Sequence, residues 1–145
     1  MSDITESAAG HARITLTRRV EWIDTDAAGI YHWTTAFRFA EAAEAALHTA
    51  LGIVDQTFGV TPRVAVATEF TRSLRFNDEV SVELAVERVG RTSLRYGFGI
   101  IGPQGVAVTG TLTICLVDAT AGRPVPWPEE TRLRLETGGP QQEVR

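Results

Sequence analysis

The sequence predicts an α+β fold: an antiparallel sheet of five strands curled around one long central helix. Three observations carry this reading. Residues 13–22 alternate apolar and polar side chains, the period of a half-buried strand. Residues 34–52 repeat apolar side chains at helical spacing. From residue 64 to residue 116 the period of two returns in four rows separated by turn residues.

In the first strand Ile14, Leu16, Val20 and Trp22 share the inward face, and Thr15, Thr17, Arg19 and Glu21 the outward one. In the helix, Phe37, Ala40, Leu47 and Leu51 fall on one stripe. Thr34 or Thr35 can cap its start through a hydroxyl, and Gly52 can end it in a left-handed conformation. Seven Ala between positions 36 and 50 leave little bulk around the helix, which suits burial on several faces. Val64, Val66, Phe70, Leu74 and Phe76 form the next inward row. Val80 to Val86, Leu94 to Ile100 and Val106 to Leu116 give three more. Asn77-Asp78, Gly90-Arg91 and the stretch from Gly102 to Gly105 supply turn chemistry between them, so the four rows read as an antiparallel meander. Residues 1–11 are small and polar, a flexible arm. Residues 122–145 are a Pro-rich tail with room for a short helix after Pro128. The only long apolar helix must cover the sheet, so the whole chain reads as one domain. The sheet's open edges call for pairing with a second copy, at least a homodimer.

Composition narrows the chemistry. All 14 basic residues are Arg, and without Lys there is no Schiff base and no pyridoxal-phosphate lysine. A net charge of -4 with scattered Arg argues against nucleic acid. A single Cys, Cys115, flanked by Ile114 and Leu116 in a strand, allows no intrachain disulfide and reads as a structural thiol in a reducing compartment. No apolar run reaches the ~20 residues of a membrane span, and the first residues lack the apolar core of a secretory signal, so the expected location is the cytoplasm. His11, His32 and His48 have no metal-ligand spacing, and no metal or redox cofactor is expected.

The stretch from Glu21 to Trp33, EWIDTDAAGIYHW, holds the chemistry. Asp24 and Asp26 stand two apart. Ala27, Ala28 and Gly29 follow, and these let the backbone turn sharply without crowding. The helix begins just beyond. A carboxylate can attack a carbonyl or activate water, and the unpaired N–H groups of a helix start can hold a developing oxyanion. The same loop could instead be a plain turn, with both aspartates bonded to backbone.

The run from Asp24 to Ala43, DTDAAGIYHWTTAFRFAEAA, resembles without a gap the acidic loop and helix start of hotdog-fold acyl-CoA thioesterases of the 4-hydroxybenzoyl-CoA thioesterase type. The segments from Leu74 to Val80 and from Gly90 to Leu94 resemble two later stretches of that family, and the likeness covers about residues 13–120. The resemblance implies a dimer or tetramer that hydrolyses an acyl thioester, with coenzyme A entering only as part of the substrate. It makes Asp26 the catalytic base or nucleophile. The backbone around Trp33 and Thr34 would polarise the carbonyl, with His32, Trp33 and Glu41 shaping the pocket. Arg91, Thr92 and Ser93 match the family segment that meets coenzyme A phosphates, where Arg suits bidentate binding. Asp24 reads as structural. A related branch takes its carboxylate from the central helix, where Glu41 and Glu44 stand on one side; a buried acid there needs Arg or His48 as partner. Thr35 and Ala36 replace an Asn and an aromatic of the family pattern beside the acyl site, which leaves the acyl group open. So is the choice between coenzyme A and a carrier protein. Two other functions fit the same fold: a non-catalytic acyl-thioester binding module, and a dehydratase using His32 with Asp26.

Overall fold

A computed structural model describes residues 9–144, so the arm expected over residues 1–11 lies outside the described residues up to position 8. Its last residues are held: the N–H of Gly139 donates to Gly10 O, and His11 Nδ1 meets Val86 O at 3.0 Å.

Strand β1 (Arg13–Arg19) leads through the acidic loop to helix α1 (Thr35–Leu51), then to a single helical turn, α2 (Val54–Thr57). Strands β2 (Arg63–Phe70), β3 (Glu79–Val89), β4 (Ser93–Gly102) and β5 (Gly105–Cys115) follow, then helix α3 (Glu129–Thr137) and strand β6 (Pro140–Gln141). The sheet order is β2-β5-β4-β3-β1-β6. The five expected strands are present, and the tail adds a sixth. It is a two-residue piece at the edge, parallel to β1, where Pro140 costs no ladder bond inside the sheet. The helix anticipated after Pro128 is α3, which begins at Glu129.

Two details of the sequence reading are corrected. Only β3, β4 and β5 form a meander; β2 pairs with β5 at the far side, because β1 occupies the free edge of β3 from Arg13↔Ala85 to Arg19↔Glu79. Residues 71–78 therefore cross between strands instead of extending β2. Of that row Leu74 alone is fully buried, while Val64, Val66, Phe70 and Phe76 are exposed. Trp22 also leaves the inward face: β1 ends at Arg19, residues 22–24 make a 3-10 turn, and the indole is 77% exposed with its ring edge-to-face against Phe76.

The inward residues of β3, β4 and β5 close over the stripe Ala36, Phe39, Ala40, Ala43, Leu47 and Leu51 of α1. Bulges at Glu87 in β3 and at Ala107 in β5 help the sheet bend around it. Ala at 36, 40 and 43 lets the helix axis come close to the strands. α1 packs on β1, β3 and β4, and its other side, with Arg38, Glu41, Ala45 and Thr49, faces outward. It is thus buried on one broad face and not on several. Gly52 ends α1 in the left-handed region (φ 71°), which an L side chain enters only with strain. Arg134 of α3 donates to the C-terminal carbonyl of Leu51 at 2.8 Å, placing a cation at the negative end of the helix.

One polar cluster lies inside this core. Thr57 donates its hydroxyl to Ile53 O, so its oxygen accepts from His48 Nδ1–H at 2.8 Å, which leaves His48 Nε2 to accept from the Tyr96 hydroxyl. Burial pushes the Tyr96 hydroxyl well above its usual range. Burial also lowers the His48 pKa, against the opposing pull of the Glu44 carboxylate and with a smaller push from Arg63. Both groups are neutral in the fold, as the bonds require.

A stability prediction follows from His48. Its folded-state pKa is depressed, so the unfolded chain binds more protons once pH drops through the imidazole range. The contribution is complete above the free-imidazole value of about 6.5 and is lost below it. Thermal unfolding should show Tm falling between pH 7.5 and pH 5.5, and the difference in slope between wild type and His48→Gln isolates this residue. A slope unchanged in the variant would remove His48 as its source.

Candidate active site

The acidic loop is fastened to the start of α1 by Asp24. This residue is 3% exposed. Its Oδ2 accepts the N–H of Glu21 at 2.8 Å, and its Oδ1 accepts Arg38 Nε and Nη2 at 3.1 and 2.6 Å. Its carbonyl accepts the N–H of His32 at 2.6 Å and the Thr35 hydroxyl at 3.1 Å. One aspartate thus holds loop and first helical turn together from both its backbone and its side chain, the structural role anticipated for it.

Asp26 rides on the next bend. Thr25 and Tyr31 form an isolated antiparallel bridge, the N–H of Asp26 donates to Ile30 O, and the N–H of Gly29 donates back to Asp26 O. Gly29 supplies the positive φ, 80°, that closes this hairpin-like loop. The Asp26 side chain is exposed; Oδ1 accepts the N–H of Ala28 at 2.8 Å, and Oδ2 has no partner among the described residues.

The helix start has one vacant donor. His32, Thr35, Ala36 and Phe37 all donate their N–H to backbone carbonyls, and Thr34 N–H donates to His32 Nδ1 at 3.2 Å. Trp33 N–H has no acceptor among the described residues. His32 Nδ1 also meets Thr34 Oγ1 at 2.7 Å. The expected hydroxyl cap is therefore replaced: Thr34 turns to His32, and Thr35 turns to Asp24.

Beside this tip lies a cavity of about 300 Å³. Ile30, Tyr31, Trp33, Phe70 and the segment Thr71–Ser73 line it. Trp33, 57% exposed, packs edge-to-face on Phe37, which packs in the same way on Phe70, so an aromatic path joins the helix start to the end of β2.

The structure gathers Asp26, His32, Trp33 and Thr34 in the loop and helix start. The other anticipated residues lie elsewhere. The Glu41 carboxylate is 72% exposed and stands 3.7 Å from Arg63, away from the cavity lining. Glu44 is buried with Oε1 at 2.8 Å from Arg63 Nη2, so its partner is Arg63 and not His48. Arg91, Thr92 and Ser93 sit at the other end of the β3–β4 hairpin, roughly 30 Å of strand away. There Trp127 donates its N–H to Arg91 O and its indole N–H to Ser93 O. The sequence reading passed over Phe70 and Arg72, which belong to the cavity; a signal for Arg72 existed in the Thr-Arg-Ser run that interrupts the apolar row before Leu74.

Among the described residues no group of three or more His, Cys, Asp or Glu is arranged to hold a metal ion, and no helix is long and apolar enough to cross a membrane.

The loop and helix start thus carry an exposed carboxylate and a backbone donor without an acceptor among the described residues; of Asp26, His32, Trp33 and Thr34, Trp33 lines the cavity and the other three do not. Comparison with solved structures gives the same architecture. The chain is similar to a predicted thioesterase from Bacillus stearothermophilus, at 23% identity and TM-score 0.78 over 85% of this chain and 93% of that one. It is similar to a 1,4-dihydroxy-2-naphthoyl-CoA thioesterase from Synechocystis, at 15% identity and TM-score 0.75 over 85% and 95%. A DHNA-CoA thioesterase from Staphylococcus aureus matches at 18% identity and TM-score 0.72 over 79% and 80%. At these identities the likeness is one of fold, the hotdog fold. A comparison with curated proteins gives no match. The sequence model of the thioesterase-like superfamily matches residues 10–135, nearly the whole chain, and the chain therefore belongs to that superfamily of thioester hydrolases.

Proposed function

We propose that the protein hydrolyses an acyl or aryl coenzyme A thioester to the free acid and thiol, with Asp26 as general base or nucleophile. The observation that carries this reading is the Trp33 N–H, the one open donor in a run of paired amides at a helix start. A donor already aimed where charge develops needs no rearrangement during reaction; removing one such donor costs about 10²–10³ in rate in well-studied enzymes. The thioester oxygen accepts this N–H. Asp26 then either takes a proton from the attacking water or attacks the carbonyl carbon itself, and water opens the resulting anhydride. In both routes the C–S bond breaks, the thiolate leaves and is protonated, and the acid is released. The unpartnered Oδ2 of Asp26 is free for either role. Coenzyme A as carrier is supported by the similar structures that act on naphthoyl-CoA and DHNA-CoA. A dehydratase is less well supported, since His32 Nδ1 is engaged by Thr34 and no hydrogen bond joins His32 to Asp26 among the described residues.

The site is completed by a second copy. β2 is an edge strand whose Val64, Val66 and Phe70 stay exposed because α1 packs on other strands. Pairing along this edge covers that apolar row and the open flank of α1. It also offers a route for Arg91, Thr92 and Ser93 of one copy to reach substrate held at the helix tip of the other, which they do not do within one chain.

Two measurements check this. Asp26→Ala and Asp26→Asn should lower kcat on acyl-CoA substrates by about 10²-fold or more, with Tm unchanged because the side chain is exposed; equal rates for all three proteins would take Asp26 out of the reaction. Val66→Arg should shift the protein to monomer in sedimentation and abolish thiol release, whereas a fully active monomer would show that one chain suffices.

A further inference from the structure

The arginines divide by whether a carboxylate stands beside them. Arg18, Arg19, Arg38, Arg63, Arg95, Arg132 and Arg134 each have a carboxylate within 4 Å. Arg72, like Arg13, Arg75, Arg88, Arg91 and Arg123, has no such ion pair among the described residues; of these it is the one that lines the cavity beside Trp33, and it is an exposed residue. Its backbone is fixed, since Thr71 and Arg72 both donate their N–H to Ala107 O. Its stem lies across the β4–β5 turn at Gly105, where an added Cβ would sit 3.6 Å from Nε. The other lining residues are Ile30, Tyr31, Trp33, Phe70, Thr71 and Ser73, a mix of apolar and hydroxyl-bearing side chains. The Thr71 hydroxyl is already spent on Val106 O.

An unpaired guanidinium on a residue that lines a partly apolar cavity lacks its natural complement, a planar two-oxygen anion. The cavity wall includes Trp33, whose N–H is the proposed carbonyl donor. Any group inside it belongs to the acyl side of the thioester, because the pantetheine arm holds the coenzyme A phosphates far from the carbonyl. The volume, about 300 Å³, is at the small end of ligand pockets and has room for an acyl group. We infer that Arg72 binds a carboxylate on the acyl group, so that the preferred substrates are mono-thioesters of dicarboxylic acids. This rests on the thioesterase reading above and adds the substrate class.

The test compares kcat/KM within pairs of coenzyme A thioesters that differ in a terminal carboxylate: adipoyl against hexanoyl, and terephthaloyl against para-toluoyl. Wild type should favour the carboxylated member of at least one pair by about tenfold or more, the loss expected for one charge-assisted hydrogen bond. Arg72→Gln should erase that ratio, and Arg72→Lys, which keeps the charge without the planar fork, should retain part of it. Matched Tm values for the three proteins establish that the change is local. The inference is overturned if wild type favours the neutral member of both pairs, or if Arg72→Gln leaves the ratio intact. Thiol release without a carboxylate preference sinks this inference alone; no release from any of the four thioesters sinks the thioesterase reading with it.

Discussion

The candidate site depends on how Asp24 is held. A buried carboxylate is tolerable only when it is paired and hydrogen-bonded, and this one is filled by Arg38 from α1 and by the N–H of Glu21 from its own loop. Because Arg38 is half exposed, the ion pair itself is screened and contributes modestly. The geometric consequence is larger. With the Asp24 carbonyl also taking His32 N–H and the Thr35 hydroxyl, residues 24 and 32–38 form one hydrogen-bonded unit. The bend from Asp26 to Ile30 is joined to that unit by its own turn bonds and to the 71–78 segment by the Ile30–Arg75 bridge and the Tyr31 N–H bond to Leu74 O.

The same fastening explains why Trp33 N–H is left open. His32 N–H is drawn to Asp24, and the amides from Thr35 on enter the ordinary turn ladder. Thr34, which would cap the helix through its hydroxyl in the usual way, is occupied with His32. The residue between is skipped. A helix start normally has several such orphans, met by water or caps; here the satisfied neighbours make the remaining one specific in position.

Much of the fold was legible in residue periodicity. The inward rows of β3, β4 and β5 are buried apart from Val106, and Ala40, Leu47 and Leu51 of α1 are buried as the pattern indicates, but Phe39 takes the core place read for Phe37, which is half-buried. Strand order was not legible, because alternation is the same whichever neighbour a strand has. The row from Val64 to Phe76 looked like a buried strand, yet it is an exposed edge followed by a crossing segment, and only Leu74 reaches the core. The site divides in the same manner. The acidic loop announced itself by local sequence, since its parts lie within a few residues of one another. Arg72 was marked only by the Thr-Arg-Ser run that breaks the apolar row before Leu74. What sets it apart is that the segment 71–78 crosses beside the cavity, a placement fixed by strand order, while the carboxylates that occupy Arg18 and Arg63, Glu143 and Glu44, are remote in sequence.

Two features with separate structural causes then converge. β2 lies uncovered because β1 holds the edge of β3, and the cavity lies open because the aromatic path Trp33–Phe37–Phe70 ends on that same uncovered strand. In the proposed dimer, one event addresses both. A second chain laid along β2 buries Val64, Val66 and Phe70 and reduces water at the cavity mouth. Electrostatic interactions grow as water is excluded, so the Trp33 N–H, the Asp26 carboxylate and the Arg72 guanidinium would each act more strongly in the assembly than in the separate chain. On this argument the exposure of Asp26 in one chain is not evidence against its role. An acid that must meet a substrate at an interface is expected to look unfinished until the interface forms.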